Sequence, residues 1–103
     1  MSLAQVKLGL VASDERAGPH LLGLARAAVA QGWPCRCFLT DSGVRLLRDA
    51  SLLAMMRDGS VGVDVCEHAW SALGLGSAPE GVKLRSQFQN AELARDCDRV
   101  IVF

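Results

Sequence analysis

Four short apolar segments, separated by stretches with helical periodicity, constrain the fold of this chain more than any other feature. The segments are residues 6–13 (VKLGLVAS), 35–40 (CRCFLT), 61–65 (VGVDV) and 98–103 (DRVIVF). Continuous apolar and β-branched runs of this length are typical of strands that are covered on both faces. Strands that alternate with helices need crossover connections, and these predict a mainly parallel sheet between two helical layers.

The stretches between these strands carry helix signals. After Pro19, apolar residues recur at three- and four-residue steps until Gly32, which predicts the first helix and its end. Residues 41–49 predict a short helix, and residues 51–59 predict a further apolar turn or two. Residues 66–76 (CEHAWSALGLG) predict another helix directly after the third strand.

The last third of the chain completes the pattern. VKL (82–84) predicts a short fourth strand, and Ser86 with Gln89 forms a capping-box pattern ahead of a last helix. A chain of 103 residues is long enough for one hydrophobic core and too short for two. We therefore predict a single three-layer α/β domain, residues 1–103, with a mainly parallel sheet of four or five strands and helices on both faces.

Composition disfavours several classes of function. The 11 Lys and Arg residues balance the 11 Asp and Glu residues, so no basic excess favours nucleic acid or an anionic membrane. The longest apolar stretch, residues 20–32, contains Arg26 and is shorter than the roughly 20 residues of a membrane span. No basic region precedes the first apolar run, which therefore predicts a strand rather than a signal peptide. We expect a cytoplasmic protein without nucleic-acid or membrane partners.

The four cysteines are the first candidates for chemistry. Without an export signal, free thiols are expected rather than disulfides. Cys35 opens the second strand and Cys97 immediately precedes the last one, so a parallel sheet places both at its amino edge, opposite Cys66. This separation disfavours a four-cysteine zinc site, and the sequence contains no C-x-x-C pair. We expect Cys35, Cys37 and Cys97 to pack in the core and expect no metal.

Cys66 lies at the carboxyl end of the third strand, the edge at which open parallel sheets bind ligands. A helix that begins there favours an anionic thiolate through its dipole and free N–H groups, and the thiolate is the nucleophilic form. The alternative is an inert, buried cysteine, which is common. His68 could move a proton for Cys66 or could be an ordinary exposed histidine. Glu67 is expected to face solvent.

Other residues carry weaker signals. His20 also belongs to the carboxyl edge and could reach the same cleft as Cys66, but a solvated position at a helix start is the favoured interpretation. Trp70 is expected in the core, and Trp33 could belong to the core or to a subunit contact. The SDERAG segment after the first strand contains neither G-x-G-x-x-G nor a P-loop pattern, so no nucleotide cofactor is predicted.

Apolar surface should remain after folding. A chain this short buries roughly 60 to 70% of its unfolded surface. Half of the residues are nevertheless hydrophobic. Trp33, Met55, Met56 and the apolar turns of residues 44–56 are the expected sites of the surplus. Such a surplus predicts a contact between subunits.

The order and spacing of these motifs resemble a known family. The segments AAVAQGWPCRCFLTDSGVRLL, VGVDVCEHAW and GVKLRSQFQNAELARDCDRVIVF are similar to the DsrE/DsrF-like family of small sulfur-relay proteins. The similarity runs along almost the whole chain. It consists of a helix ending in QG, a FLTDSGV turn, a cysteine after the third strand and a terminal DRVIVF.

The resemblance implies an α/β protein that assembles as a trimer or hexamer and carries sulfur as a persulfide on the cysteine that Cys66 matches. It also implies sulfur donor and acceptor proteins as partners and no cofactor. The ionisable pair Glu67 and His68, followed by Trp70, departs from the small residues of the sulfur carriers. Because the family includes subunits without the cysteine, the alternative is a non-catalytic binding or assembly subunit in which Cys66 is structural.

Overall fold

Strands and helices alternate along the computed structural model, which describes residues 5–103. The strands are β1 Leu8–Ala12, β2 Cys35–Leu39, β3 Gly62–Cys66, β4 Lys83–Arg85 and β5 Arg99–Val102. The helices are α1 Gly18–Gln31, α2 Ala50–Arg57, α3 Glu67–Ala72 and α4 Gln87–Asp96, with 3₁₀ segments at Glu15–Ala17 and Asp41–Arg48. None of the helices within residues 5–103 has the length and apolar content that a membrane crossing requires.

The sheet is parallel throughout, with the strand order β4-β3-β2-β1-β5. Cys35 pairs with Leu8 where β2 and β1 begin. Cys66 pairs with Arg85 where β3 and β4 end. This register places Cys35 at the amino edge and Cys66 at the carboxyl edge, as predicted. The predicted three-layer α/β fold is confirmed, with five strands.

Successive residues of β1 face different helices, which shows that the helices form two layers. Leu8 lines an apolar groove together with Leu24 and Ala28 of α1. The next residue, Gly9, faces α4 instead, because a Cβ there would lie 2.5 Å from Leu93 Cδ2. Since successive strand residues point to opposite faces, α1 and α4 cover opposite faces of the sheet.

The core lies on the three central strands. Six of their side chains are fully buried: Leu10 and Ala12 of β1, Cys37, Phe38 and Leu39 of β2, and Val65 of β3. Each large aliphatic or aromatic side chain buried in this way contributes about 1.5–3 kcal/mol of transfer free energy. The edge strands differ, since β4 is half-buried at most and every residue of β5 is exposed.

Two helix boundaries follow the sequence signals. α1 ends at Gly32, whose φ of 72° is the left-handed conformation that glycine adopts without steric cost. α4 begins with the predicted capping box, in which the Ser86 backbone N–H donates to Gln89 Oε1 at 3.0 Å. Each of these two helix boundaries is therefore determined by residues in the adjacent turn of its own helix.

Two other segments refine the prediction. The short helix predicted over residues 41–49 is a 3₁₀ helix over residues 41–48, and its buried Gly43 approaches the backbone of Ala12 so closely that no side chain fits. The helix after Cys66 stops at Ala72, because Gly74 and Gly76 follow in the left-handed conformation. α3 therefore has only six residues.

The exposed apolar surface lies elsewhere than predicted. In residues 44–56, the side chains of Val44, Leu47 and Leu52 are buried, while those of Met55 and Met56 are half-buried against the core, as is that of Trp33. Among residues 5–103, the large hydrophobic side chains that are exposed are Val29, Phe88, Val100, Ile101 and Val102. The reason is topological. Residues 41–48 fold back against β2 and β3, whereas β5 lies at the edge of the sheet.

Candidate functional site

Cys66 ends β3 and is also the N-cap residue of α3, with extended backbone dihedrals of −67° and 113°. Its predicted position at the carboxyl edge is confirmed. The six-residue α3 begins with the acidic Glu67. A short helix with an acidic first turn attracts an anion less than the longer helix that the sequence predicted. The helix dipole of α3 is therefore a weak source of stabilisation for negative charge at Cys66.

An open cavity of about 420 Å³ borders Cys66. Its lining residues are Cys66, Glu67, His68, Ser71, Arg85, Ser86 and Gln87. They belong to the carboxyl ends of β3 and β4 and to the first turns of α3 and α4. Cavities of about 520 and 550 Å³ lie at the amino edge and beside β5. The Cys66 cavity is the better candidate site, because it joins a thiol, an imidazole and a guanidinium where parallel sheets bind ligands.

The Cys66 side chain accepts a hydrogen bond from Gln87. Gln87 Nε2 donates to Cys66 Sγ at 3.7 Å and to Thr40 Oγ1 at 3.3 Å. Asn90 Nδ2 donates to Gln87 Oε1 at 3.1 Å. Cys66 itself is only 4% exposed, whereas Gln87 is exposed. No sequence motif marks Gln87 as a partner of Cys66, although its place after the capping Ser86 makes it the first residue of a helix at the carboxyl edge.

His68 and Glu67 are both exposed on the first turn of α3, and both line the cavity. The solvent-facing position predicted for Glu67 is confirmed. His68 borders the same cavity as Cys66, but the hydrogen bond to the sulfur comes from Gln87. His20 is exposed and stacks on Phe103, with ring centroids 6.3 Å apart. It therefore lies at the β1–β5 side of the sheet, away from the Cys66 cavity.

Arg85 brings a positive charge to the cavity. Its Nε lies 3.7 Å from Asp64 Oδ1, and Asp64 Oδ2 lies 3.7 Å from a terminal nitrogen of Arg36. These side chains are 24 to 41% exposed, so each ion pair contributes at most about 1 kcal/mol. Their main consequence is the position of the Arg85 side chain. Arg85 pairs with Cys66 in the sheet register, and its contact with Asp64 keeps the guanidinium on the sheet face that Cys66 shares.

The other three cysteines lie toward the amino edge, and all four thiols are free. Cys35 and Cys37 are buried, as predicted, and hydrogen bonding to Cys37 lowers the pKa of Cys35. The same contact, together with burial, raises the pKa of Cys37. Cys97 packs against the core but stays partly exposed, since it is the C-cap residue of α4, and desolvation raises its pKa. Within the described residues, no group of three or more His, Cys, Asp or Glu side chains could hold a metal ion.

The two tryptophans have different surroundings. Trp70 is 5% exposed, and its Nε1 donates to the Gly76 carbonyl at 2.7 Å. The core position predicted for Trp70 is confirmed. Trp33 is half-buried and lines the groove between α1 and β5.

The chain resembles known proteins in its fold. No protein-family model and no curated protein sequence matches the chain. A search of solved structures does find matches, among them the crystal structure of the YchN protein from E. coli. That structure superposes with a TM-score of 0.69 at 18% sequence identity, over 97% of this chain and 100% of that one. The chain therefore shares the fold of YchN over nearly its whole length.

Proposed function

We propose that this protein carries sulfane sulfur as a persulfide on Cys66 and passes it from a donor protein to an acceptor protein. The observation that carries the proposal is the place of Cys66: a free thiol at the carboxyl end of β3, bordering an open cavity that also holds His68 and Arg85. The motifs around Cys66, which resemble the DsrE/DsrF-like family, and the YchN-like fold support it.

The transfer needs no cofactor. The Cys66 thiolate attacks the outer sulfur of the donor persulfide, and the donor S–S bond breaks, its electron pair leaving with the inner sulfur as a thiolate. An acceptor thiolate then attacks the outer sulfur of Cys66–S–SH and releases Cys66 as a thiolate. No net oxidation or reduction occurs. His68 supplies or removes the proton at the cavity, and Arg85 favours anionic sulfur there.

Intact-protein mass spectrometry tests this proposal. After incubation with glutathione persulfide, the protein should gain one sulfur atom, and peptide mapping should locate it on Cys66. Cys66→Ser should gain none, whereas the matched variants Cys35→Ser and Cys97→Ser should load like the wild type. Equal modification of all four cysteines, or no uptake at all, would contradict the proposal.

A second candidate function is a non-catalytic binding or assembly subunit in which Cys66 is structural. The observation that favours it is the 4% exposure of Cys66, which equals that of Cys35. In this case iodoacetamide should alkylate Cys66 no faster than Cys35 at any pH between 6 and 9. Cys66→Ser should then keep its partners and its function.

We also propose that the protein assembles with copies of itself, as a trimer or hexamer. The run of exposed apolar side chains along the edge strand β5, namely Val100, Ile101 and Val102, supports this, because contiguous exposed apolar surface often marks a protein contact. Light scattering at micromolar concentration is the test. A stable particle with the monomer mass of 11.0 kDa would contradict it.

A further inference from the structure

A hydrogen bond reaches the Cys66 sulfur, and its donor is Gln87. We infer that the Gln87 amide is the donor that stabilises the Cys66 sulfur whenever it is anionic, and that Asn90 is a positioning residue that aims this donor. The inference rests on the proposed function, because it concerns the same sulfur.

The orientation of the Gln87 amide follows from its partners. An amide has one donating end and one accepting end. Asn90 Nδ2 donates at 3.1 Å to Gln87 Oε1, so the nitrogen end faces away from Asn90. That nitrogen carries two hydrogens, and its two acceptors are Thr40 Oγ1 and Cys66 Sγ. Every polar atom of the amide therefore has a partner, and the donor end is directed at the sulfur.

The backbone that carries Gln87 is also fixed. Ser86, the residue before it, caps α4 in a two-way capping box with Gln89. Thr40, the second acceptor of Gln87, is anchored by its backbone N–H, which donates to the Ala12 carbonyl at 2.9 Å. Gln87 thus joins the carboxyl ends of β2 and β3 to the start of α4.

Gln87 is better placed for this role than the two ionisable side chains in the cavity. Arg85 has its Nε held 3.7 Å from Asp64, and His68 is exposed on the first turn of α3. A glutamine amide does not titrate between pH 5 and 10. Its hydrogen bond to Cys66 therefore persists over the range in which a thiol changes charge.

The two halves of the transfer cycle use the anionic sulfur in opposite ways. Cys66 is the nucleophile when it takes sulfur from a donor persulfide, and it is the leaving group when an acceptor takes that sulfur away. A hydrogen bond that stabilises a thiolate makes it a better leaving group and a weaker nucleophile. Removal of the Gln87 hydrogen-bond donor should therefore slow the discharge of sulfur from Cys66 at every pH. It should slow the loading of Cys66 only at pH values where the thiol is mostly protonated.

Gln87→Met tests the inference, since methionine keeps the side-chain length and lacks the N–H donor. The wild type and the variant are loaded with glutathione persulfide and discharged with cyanide, which attacks the outer sulfur, leaves as thiocyanate and releases the Cys66 thiolate. We expect discharge of the variant to slow about three- to tenfold. Its loading should match or exceed the wild-type rate at pH 10, and the midpoint of its iodoacetamide pH profile should move upward.

Two further variants control this experiment. Asn90→Leu removes the group that orients the amide, and it should slow discharge by less than Gln87→Met does. Gln31→Met changes an exposed glutamine on α1 and should leave both rates unchanged. Because Gln87 is exposed, its substitution should not unfold the protein; Gln87→Glu, which keeps the shape but turns the donor into an acceptor, provides a second variant.

The outcomes separate the inference from the function on which it rests. If the wild type takes up no sulfur on Cys66, the proposed function fails. If the wild type loads but Gln87→Met keeps the wild-type discharge rate and pH profile, sulfur carrying stands and the donor role of Gln87 is wrong. If Gln87→Met loads and discharges sulfur faster than the wild type at every pH, the inference is also wrong. Gln87 would then only block access to the Cys66 sulfur.

Discussion

Cysteines at the two edges of the sheet are equally buried but have different neighbours. Cys35, at the amino edge, is 4% exposed and has the core thiol of Cys37 beside it. Cys66, at the carboxyl edge, is also 4% exposed, yet its hydrogen-bond partner is the exposed side chain of Gln87, and an open cavity lies next to it. A reagent reaches a thiol among core side chains only through local unfolding, whereas a rotamer change suffices beneath a surface side chain. Burial alone therefore does not distinguish a reactive thiol from an inert one.

The two edges also differ in how tightly their backbone is packed. Near the amino edge, Gly9 is close to the flexible end of the Leu93 side chain. At the carboxyl edge, Gly43 is packed against the main chain of Ala12, and its N–H donates to the Thr40 carbonyl at 2.9 Å. The turn that presents Thr40 to Gln87 therefore depends on a close approach of two backbone segments.

The largest effect is expected from alanine at these two glycines. In Gly43→Ala the new Cβ would overlap the Ala12 carbonyl oxygen, and a backbone shift should cost about 3 kcal/mol or more of unfolding free energy. In Gly9→Ala the new Cβ would lie 2.5 Å from Leu93 Cδ2. Because this side-chain end can rotate away, we expect a loss of only about 1–2 kcal/mol of unfolding free energy. Urea denaturation measures both. Equal losses would show that the two edges are packed alike.

The next effect concerns serine at the two buried cysteines. Cys37 is 1% exposed among apolar side chains, so Cys37→Ser should lower the unfolding free energy by about 1–3 kcal/mol. Cys66→Ser should cost under about 1 kcal/mol, because its hydroxyl can accept from Gln87 and reach water in the cavity. If Cys66→Ser destabilises the protein as much as Cys37→Ser does, Cys66 has the surroundings of a core thiol.

Native-state alkylation compares the same thiols kinetically. With iodoacetamide at pH 8, Cys66 should react at least about tenfold faster than Cys37, since only Cys37 requires unfolding of the core. Peptide mass spectrometry at successive times gives both rates. Identical rates that rise together with urea would assign Cys66 to the core.

The smallest effect is the acid dependence of an exposed ion pair. Hydrogen bonding by the Arg16 side chain lowers the pKa of Asp14 from its ordinary value of 3.8 to about 2. Because the folded-state pKa is depressed, the Asp14 contribution is present above pH 3.8 and is lost as the pH falls through about 2. Asp14→Asn should flatten the pH dependence of stability in this range slightly, as the pair is exposed to solvent. Urea midpoints between pH 2 and 5 are the measurement, and an unchanged slope would contradict the assignment.

Local signals predicted most of the fold. The strand segments, the end of α1 at Gly32 and the capping box at Ser86 are each encoded within a few residues, and each is confirmed. The edge position of Cys66 also follows from the sequence, because strands joined by parallel crossovers all present the same end to the same edge. The predicted helix over residues 66–76 is longer than the observed α3, because Gly74 and Gly76 adopt the left-handed conformation and end the helical segment early.

Residue patterns alone predict which segments are strands, which edge of the sheet carries each cysteine and where α4 begins. Packing between distant segments brings Gln87 to Cys66, 21 positions away in the chain, and leaves the apolar side chains of β5 exposed. Both results depend on the strand order β4-β3-β2-β1-β5, which no single segment encodes. This order returns the chain from β4 through α4 to pair β5 with β1, and it places β5 at the edge of the sheet that residues 5–103 form. Strand order is set by packing between distant segments, whereas residue periodicity reports only the faces of a single segment.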